Sequence, residues 1–147
     1  KKYGPAAVED NRHHKVTKAL EDVTFINIAV TGVIANITKS FSQSALGHMM
    51  YDGVRTFFTQ EAKDALHGEI VAVALFTQLY YNKLSEQKEQ LKEFMRGMDM
   101  PLTLEELGVP CTEKNLKTLE DYLIDSPYVD PSPESLALLH EAMKQMQ

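Results

Sequence analysis

The chain has 147 residues, 44% of them hydrophobic and 24% charged, with a formal net charge of −6. That length supports one domain with a real core, and that hydrophobic share excludes intrinsic disorder. The negative charge is mixed along the chain, which speaks against nucleic acid and anionic membranes and for a solvated acidic surface.

Lys1-Lys2-Tyr3-Gly4-Pro5 leads into a polar stretch, so no signal peptide is read there and a cytoplasmic location is expected. Pro5 suits the first turn of a short helix through about Asp10. The next segment, about Thr17 to Phe41, carries Val23, Ile26, Val30, Val33, Ile34 and Ile37 close to helical spacing. Its β-branched residues would also suit strands, but its length favours a helix. Asn27, Thr31, Gly32 and Asn36 interrupt its apolar run from Val23 to Ile37, which makes it a poor membrane span.

A third helix is predicted over about Ser44 to Phe58, then a polar connection from Thr59 to Ala65. The fourth, about Gly68 to Lys83, is apolar nearly all round through Ile70, Val71, Val73, Ala74, Leu75, Phe76, Leu79 and Tyr80. A helix without a polar face is buried on all sides. The fifth, about Glu86 to Arg96, is amphipathic through Leu91, Phe94 and Met95, with Gly97 as its stop. Thr103-Leu104-Glu105-Glu106 fits a capping box, and Gly108 closes that short turn of helix. Cys111 is the lone cysteine; it cannot form an internal disulfide and has no base beside it, so it reads as incidental. Thr112 can cap a helix through about Leu123. Ser132-Pro133-Glu134 opens a last helix through about Lys144, with serine as cap, proline first and an acid in the first turn. No segment alternates with period two, so the predicted architecture is an all-α helical bundle.

Two histidines suggest chemistry. His48 lies in Gly47-His48-Met49-Met50-Tyr51-Asp52-Gly53 and His67 opens His67-Gly68-Glu69-Ile70, each at the edge of an apolar segment. Neutral imidazole is the commonest metal ligand among side chains, and two brought together from separate elements can share an ion. The residues alone favour the plainer reading, a hydrogen-bonded histidine at each helix end, because two separated histidines are a weak signal beside His-Glu-x-x-His. A catalytic metal usually has three protein ligands and an open position, and no Asp or Glu of the chain stands out as the third. Tyr51, Asp52 and Glu69 lie close enough in sequence to orient an imidazole, or are simply helix-end residues. His13-His14 reads as solvated surface and His140 as structural. The Phe57-Phe58 and Tyr80-Tyr81 pairs read as core and surface packing.

Four stretches in order carry a family resemblance. Lys2-Tyr3-Gly4-Pro5-Ala6-Ala7, followed by Val16-Thr17-Lys18-Ala19-Leu20-Glu21-Asp22-Val23, resembles "kyGp.A… vT.AlE.vi". Ser44-Ala45-Leu46-Gly47-His48-Met49-Met50-Tyr51-Asp52-Gly53 is similar to "AHaiHNG", and Leu66-His67-Gly68-Glu69-Ile70-Val71-Ala72 to "HGEKVA". Met100-Pro101-Leu102-Thr103-Leu104-Glu105-Glu106-Leu107-Gly108 looks like "lPvTLedlGi". The patterns are those of the C-terminal helical domain of the iron-containing alcohol dehydrogenase superfamily, which has the dehydroquinate synthase-like fold, and most closely of its glycerol dehydrogenase branch.

The resemblance spans essentially the whole chain. It implies that residues 1–147 are a helical metal-binding domain, a fragment lacking the N-terminal nucleotide-binding domain that takes NAD or NADP. It implies a divalent metal, zinc or iron, held by one Asp and two His, the histidines falling on His48 and His67 and the Asp upstream of residue 1. It implies a metal- and NAD(P)-dependent dehydrogenase of a small alcohol or polyol, with Tyr51 near the nicotinamide and a homo-oligomeric assembly. The two ligating nitrogens are then expected to converge from two helices and to face one cleft, with Tyr51 at its wall and Phe58 behind. Alone, the fragment is expected to be inactive and to bind metal weakly or not at all. Tyr51 stands where the branch usually has a second His, Asp52 replaces Asn and Ile70 replaces Lys, so glycerol, another diol and a 2-hydroxy acid all stay open as substrates. The alternative, motivated by those same changes, is a non-catalytic interaction module that uses its apolar 68–83 segment for subunit packing.

Overall fold

A computed structural model describes residues 2–38 and 45–147, the side chains of 35–38 aside. Every regular element among the described residues is helical, as the lack of period-two alternation predicts. None of these helices is long and apolar enough to cross a membrane. The sequence marks no boundary, yet the chain divides into two compact units, Lys1–Gln43 and Ser44–Gln147.

In the first unit, α1 (Gly4–Arg12) begins with Pro5 in its first turn. The helix α2 (Lys18–Phe25) packs against it. Thr17 joins the two: its Oγ1 accepts from the Leu20 N–H at 3.3 Å and donates to Asp10 Oδ2 at 2.5 Å. The predicted helix from Thr17 does not run uniformly. A π-helical stretch, Ile26–Val30, follows α2 and leads into α3 (Thr31–Thr38). The Thr31 hydroxyl donates to the Ile26 carbonyl five residues back at 3.0 Å, the offset of the π geometry. The rest of the predicted helix, to Phe41, lies outside the described residues.

The apolar spacing over 23–34 leads one to expect a buried stripe. Instead Val16, Phe25 and Ile28 are 80%, 64% and 73% exposed, and Ile26, Val30, Val33 and Ile34 are exposed as well. The period predicts the helix, not what covers it.

The second unit is built around α5 (His67–Tyr81), which packs on α4 (Leu46–Phe57) and on α8 (Pro133–Met143). From Glu69 to Tyr81 no residue is fully exposed, as its all-round apolar sequence predicts. Val71, Ala72, Leu75 and Gln78 to Tyr81 of the same helix stay half-buried. Ile70, Val73 and Phe76 meet Met50 and Val54 of α4 and Leu139 and Met143 of α8 in one cluster. Met95 of α6 (Lys88–Arg96) and Leu119 and Leu123 of α7 (Glu113–Ile124) complete it. Gly53 lets α4 approach α7: a Cβ there would stand 3.0 Å from the Tyr122 ring and 3.2 Å from Leu119.

The caps follow the sequence closely. Thr112 Oγ1 accepts from the Asn115 N–H and Ser132 Oγ from the Ser135 N–H, opening α7 and α8. At 103–106 the Thr103 hydroxyl accepts from the Glu106 N–H at 3.2 Å, and the Glu106 carboxylate accepts from the Leu102 N–H at 2.6 Å. These contacts make a turn rather than the predicted turn of helix, since Gly108 at φ 92° reverses the chain at once. The helix α6 ends by Gly97 as predicted, but Gly97 stays right-handed and Asp99 takes the left-handed conformation, φ 55°. The aromatic pairs pack as read: Phe58 is buried, Phe57 meets Tyr122 edge-on, and the Tyr81 hydroxyl bridges Ser135 and the Asp130 N–H.

Cys111 is half-buried, and burial, then the Glu105 carboxylate, push its thiol above the ordinary cysteine value. The thiolate is the reactive form. At pH 7.5 a disulfide reagent is therefore expected to titrate Cys111 more slowly than free cysteine. A rate equal to free cysteine would contradict this account.

Candidate metal centre

His48 and His67 start from neighbouring helix ends. Residues 46–57 form α4 because Leu46, Met50, Gly53 and Val54 recur at helical spacing and all are buried. That stripe leaves His48 exposed on another face. Gly47 lets the start of α4 come close to α5: a Cβ there would lie 3.3 Å from Gln78 Oε1 and 3.7 Å from the Val71 carbonyl. The Gly47 N–H, one of the donors a helix start leaves without an internal partner, donates instead to Gln78 Oε1 at 3.0 Å. His67 is the first residue of α5, whose start is fixed by the Glu69 carboxylate accepting from the Leu66 N–H at 2.7 Å. Glu69 therefore serves the helix end.

The two imidazoles come together from these two helices. Their ring centroids are 5.7 Å apart, with the planes tilted by 57°. A zinc–nitrogen bond of 2.0–2.1 Å puts the ion about 3.2 Å from a ring centre, so two rings sharing a tetrahedral ion would be about 5 Å apart. The observed centroid spacing lies within an ångström of that value. Among the described residues no group of three or more His, Cys, Asp or Glu side chains could hold a metal ion. The chain as described thus offers two imidazole donors.

Tyr51 packs on His67, with ring centroids 4.2 Å apart and planes at 46°. The Arg55 guanidinium lies 5.6 Å over the Tyr51 ring from one turn further along α4. Arg55 also donates to two carbonyls of the connection leading to His67, Ala62 at 2.8 Å through Nη1 and Ala65 at 2.5 Å through Nη2. Sequence reasoning missed Arg55 and Gln78. The i, i+4 spacing of Tyr51 and Arg55 is the one local signal for the former; the partner of Gln78 is 31 positions away.

Both histidines are exposed, and Phe58 belongs to the core cluster. The concavity beside Glu69 is walled by Glu61, Asp64, Asp99, Pro101 and Glu106 rather than by either imidazole. His140 is occupied elsewhere, its Nδ1 3.0 Å from the buried Glu120 carboxylate, and His13 pairs with Glu9 at 2.7 Å.

A comparison of the chain with protein-family models finds no match, and neither does a comparison with curated proteins.

Proposed function

We propose that this chain is the helical, metal-holding part of an NAD(P)-dependent dehydrogenase acting on a small alcohol or polyol. Such an enzyme resembles glycerol dehydrogenases of the iron-containing alcohol dehydrogenase superfamily. The observation that carries the reading is the pair His48 and His67, 5.7 Å apart on two different helices. They would hold zinc or iron through neutral imidazole nitrogens, with a third ligand and the nucleotide site supplied from outside these 147 residues. Bound there, the ion would supply Lewis acidity toward an alcohol oxygen. Tyr51 packs against the His67 ring, with centroids 4.2 Å apart.

A second reading has its own support. Val16, Phe25 and Ile28 expose apolar surface that soluble monomers seldom leave bare, and this favours a helical interaction module without catalysis.

Calorimetric titration with NAD and NADP separates the two in a protein that joins this chain to its upstream region. Saturable binding of either nucleotide is expected. Absence of binding to both would overturn the enzyme reading in favour of the interaction module. The 147-residue chain alone is expected to reduce no NAD, and measurable reduction would refute the division of labour between the two parts.

A further inference from the structure

The connection from Phe58 to Leu66 contains no helix, yet it must deliver His67 to within reach of His48. Its backbone carbonyls at Ala62 and Ala65 are both taken by one side chain, Arg55, through different guanidinium nitrogens. A planar guanidinium has its donors in a fixed fork, so gripping two carbonyls three residues apart fixes the curve of the chain between them. The grip is anchored at both ends. Arg55 stands on α4 beside the buried Val54, and Ala62 is itself fully buried. The Thr59 hydroxyl donates back to the Arg55 carbonyl, which ties the start of the connection to the same residue.

A second route reaches the imidazole itself. The guanidinium faces the Tyr51 ring at 5.6 Å, and the other neighbour of that ring is His67, at 4.2 Å. A cation over an aromatic face is attracted to it, which holds Tyr51 in the rotamer that packs on His67. Arg55 therefore acts on His67 twice, through the backbone before it and through the ring beside it.

We infer that Arg55 is a positioning residue for the two-imidazole site, acting through the Ala62 and Ala65 carbonyls and through Tyr51 to aim His67 at His48. Its value to function rests on the metal reading; the clamp does not. An arginine that merely closed the C-terminal end of α4 would stabilise the fold without selecting the orientation of one imidazole.

The test uses the 147-residue chain and two NMR readouts. In the metal-free chain, cross-relaxation between the Tyr51 and His67 rings reports the clamp. In a titration with cobalt(II) chloride at millimolar concentrations, paramagnetic broadening of the His48 and His67 rings reports whether one ion engages both. The wild-type chain is expected to show the ring contact and one shared cobalt midpoint. In Arg55→Met the ring contact is expected to vanish, and the His67 midpoint to rise roughly tenfold and part from that of His48. A retained ring contact or an unchanged shared midpoint in that variant overturns the inference. Separate midpoints in the wild-type chain would instead overturn the claim that Arg55 aims His67 at a shared ion and leave the ring contact to decide the clamp. Should Arg55→Met not fold, Arg55→Lys keeps the stem and charge, loses the fork, and is read by the same two signals.

Discussion

Alanine at His48 or at His67, in a protein that joins this chain to a nucleotide-binding region, is expected to lower kcat by about three orders of magnitude or more. The size follows from the chemistry proposed for the site. Lewis-acid stabilisation of a developing alkoxide is worth several kcal/mol, and each tenfold in rate is about 1.4 kcal/mol. Two imidazoles from this chain carry most of the donor set it can offer, so loss of either leaves an incomplete site. The two losses are not expected to add, because residues that act as a unit fail together. Stability should change little: both residues are exposed, and substitutions at exposed positions usually stay within about 0.5 kcal/mol. Metal content by elemental mass spectrometry, turnover and thermal midpoint decide the matter together. Normal metal content and normal turnover in both variants would remove the metal-site reading. A fall in the thermal midpoint matching the fall in activity would reassign the histidines to the fold.

The helices of the second unit were legible because their signals are local. Thr112 and Ser132 cap where their spacing to the following apolar residues says they should. The apolar run of α5 announces a buried element whatever surrounds it. His48 and His67 stood out as residue types, and family resemblance supplied the expectation that they meet. What makes them meet is not local. The Gly47 N–H finds Gln78 in the last turn of α5, and Arg55 reaches forward to carbonyls that have no side-chain signature at all. A sequence does not display which backbone oxygens need a donor. The first unit fails in the other direction. The spacing of Val23, Ile26, Val30, Val33 and Ile34 has the helix period, and helix forms, but the pattern holds no information on the surface that would cover Ile26, Val30, Val33 and Ile34. The π stretch at Ile26–Val30 was equally silent, since one hydroxyl bonding five residues back does not alter the apolar period.

The second large effect is expected at a glycine outside the candidate centre. Gly108 has φ 92°, a backbone conformation that side chains with a Cβ resist. It also lies directly against the connection after α4: a Cβ at Gly108 would overlap the Glu61 carbonyl oxygen and come within 3.2 Å of the Glu61 carbonyl carbon. The obstruction is backbone, which cannot swing aside as a flexible side chain can. Left-handed strain on a non-glycine residue costs about 1–3 kcal/mol, and forcing apart a packed contact adds about 1–3 kcal/mol. Gly108→Ala is therefore expected to destabilise the chain by about 2–6 kcal/mol, a large share of the 5–15 kcal/mol typical of a whole domain. Urea unfolding should show the midpoint falling with the slope unchanged. A loss below about 1 kcal/mol would mean that the 103–108 turn and the connection part easily. The consequence then extends to the histidines. Glu61 precedes Ala62, whose carbonyl is one of the two that Arg55 holds, and the same connection ends at His67. Displacing Glu61 pulls on that grip, so Gly108→Ala should also weaken the Tyr51–His67 ring contact in the molecules that remain folded, at a glycine that touches neither ring.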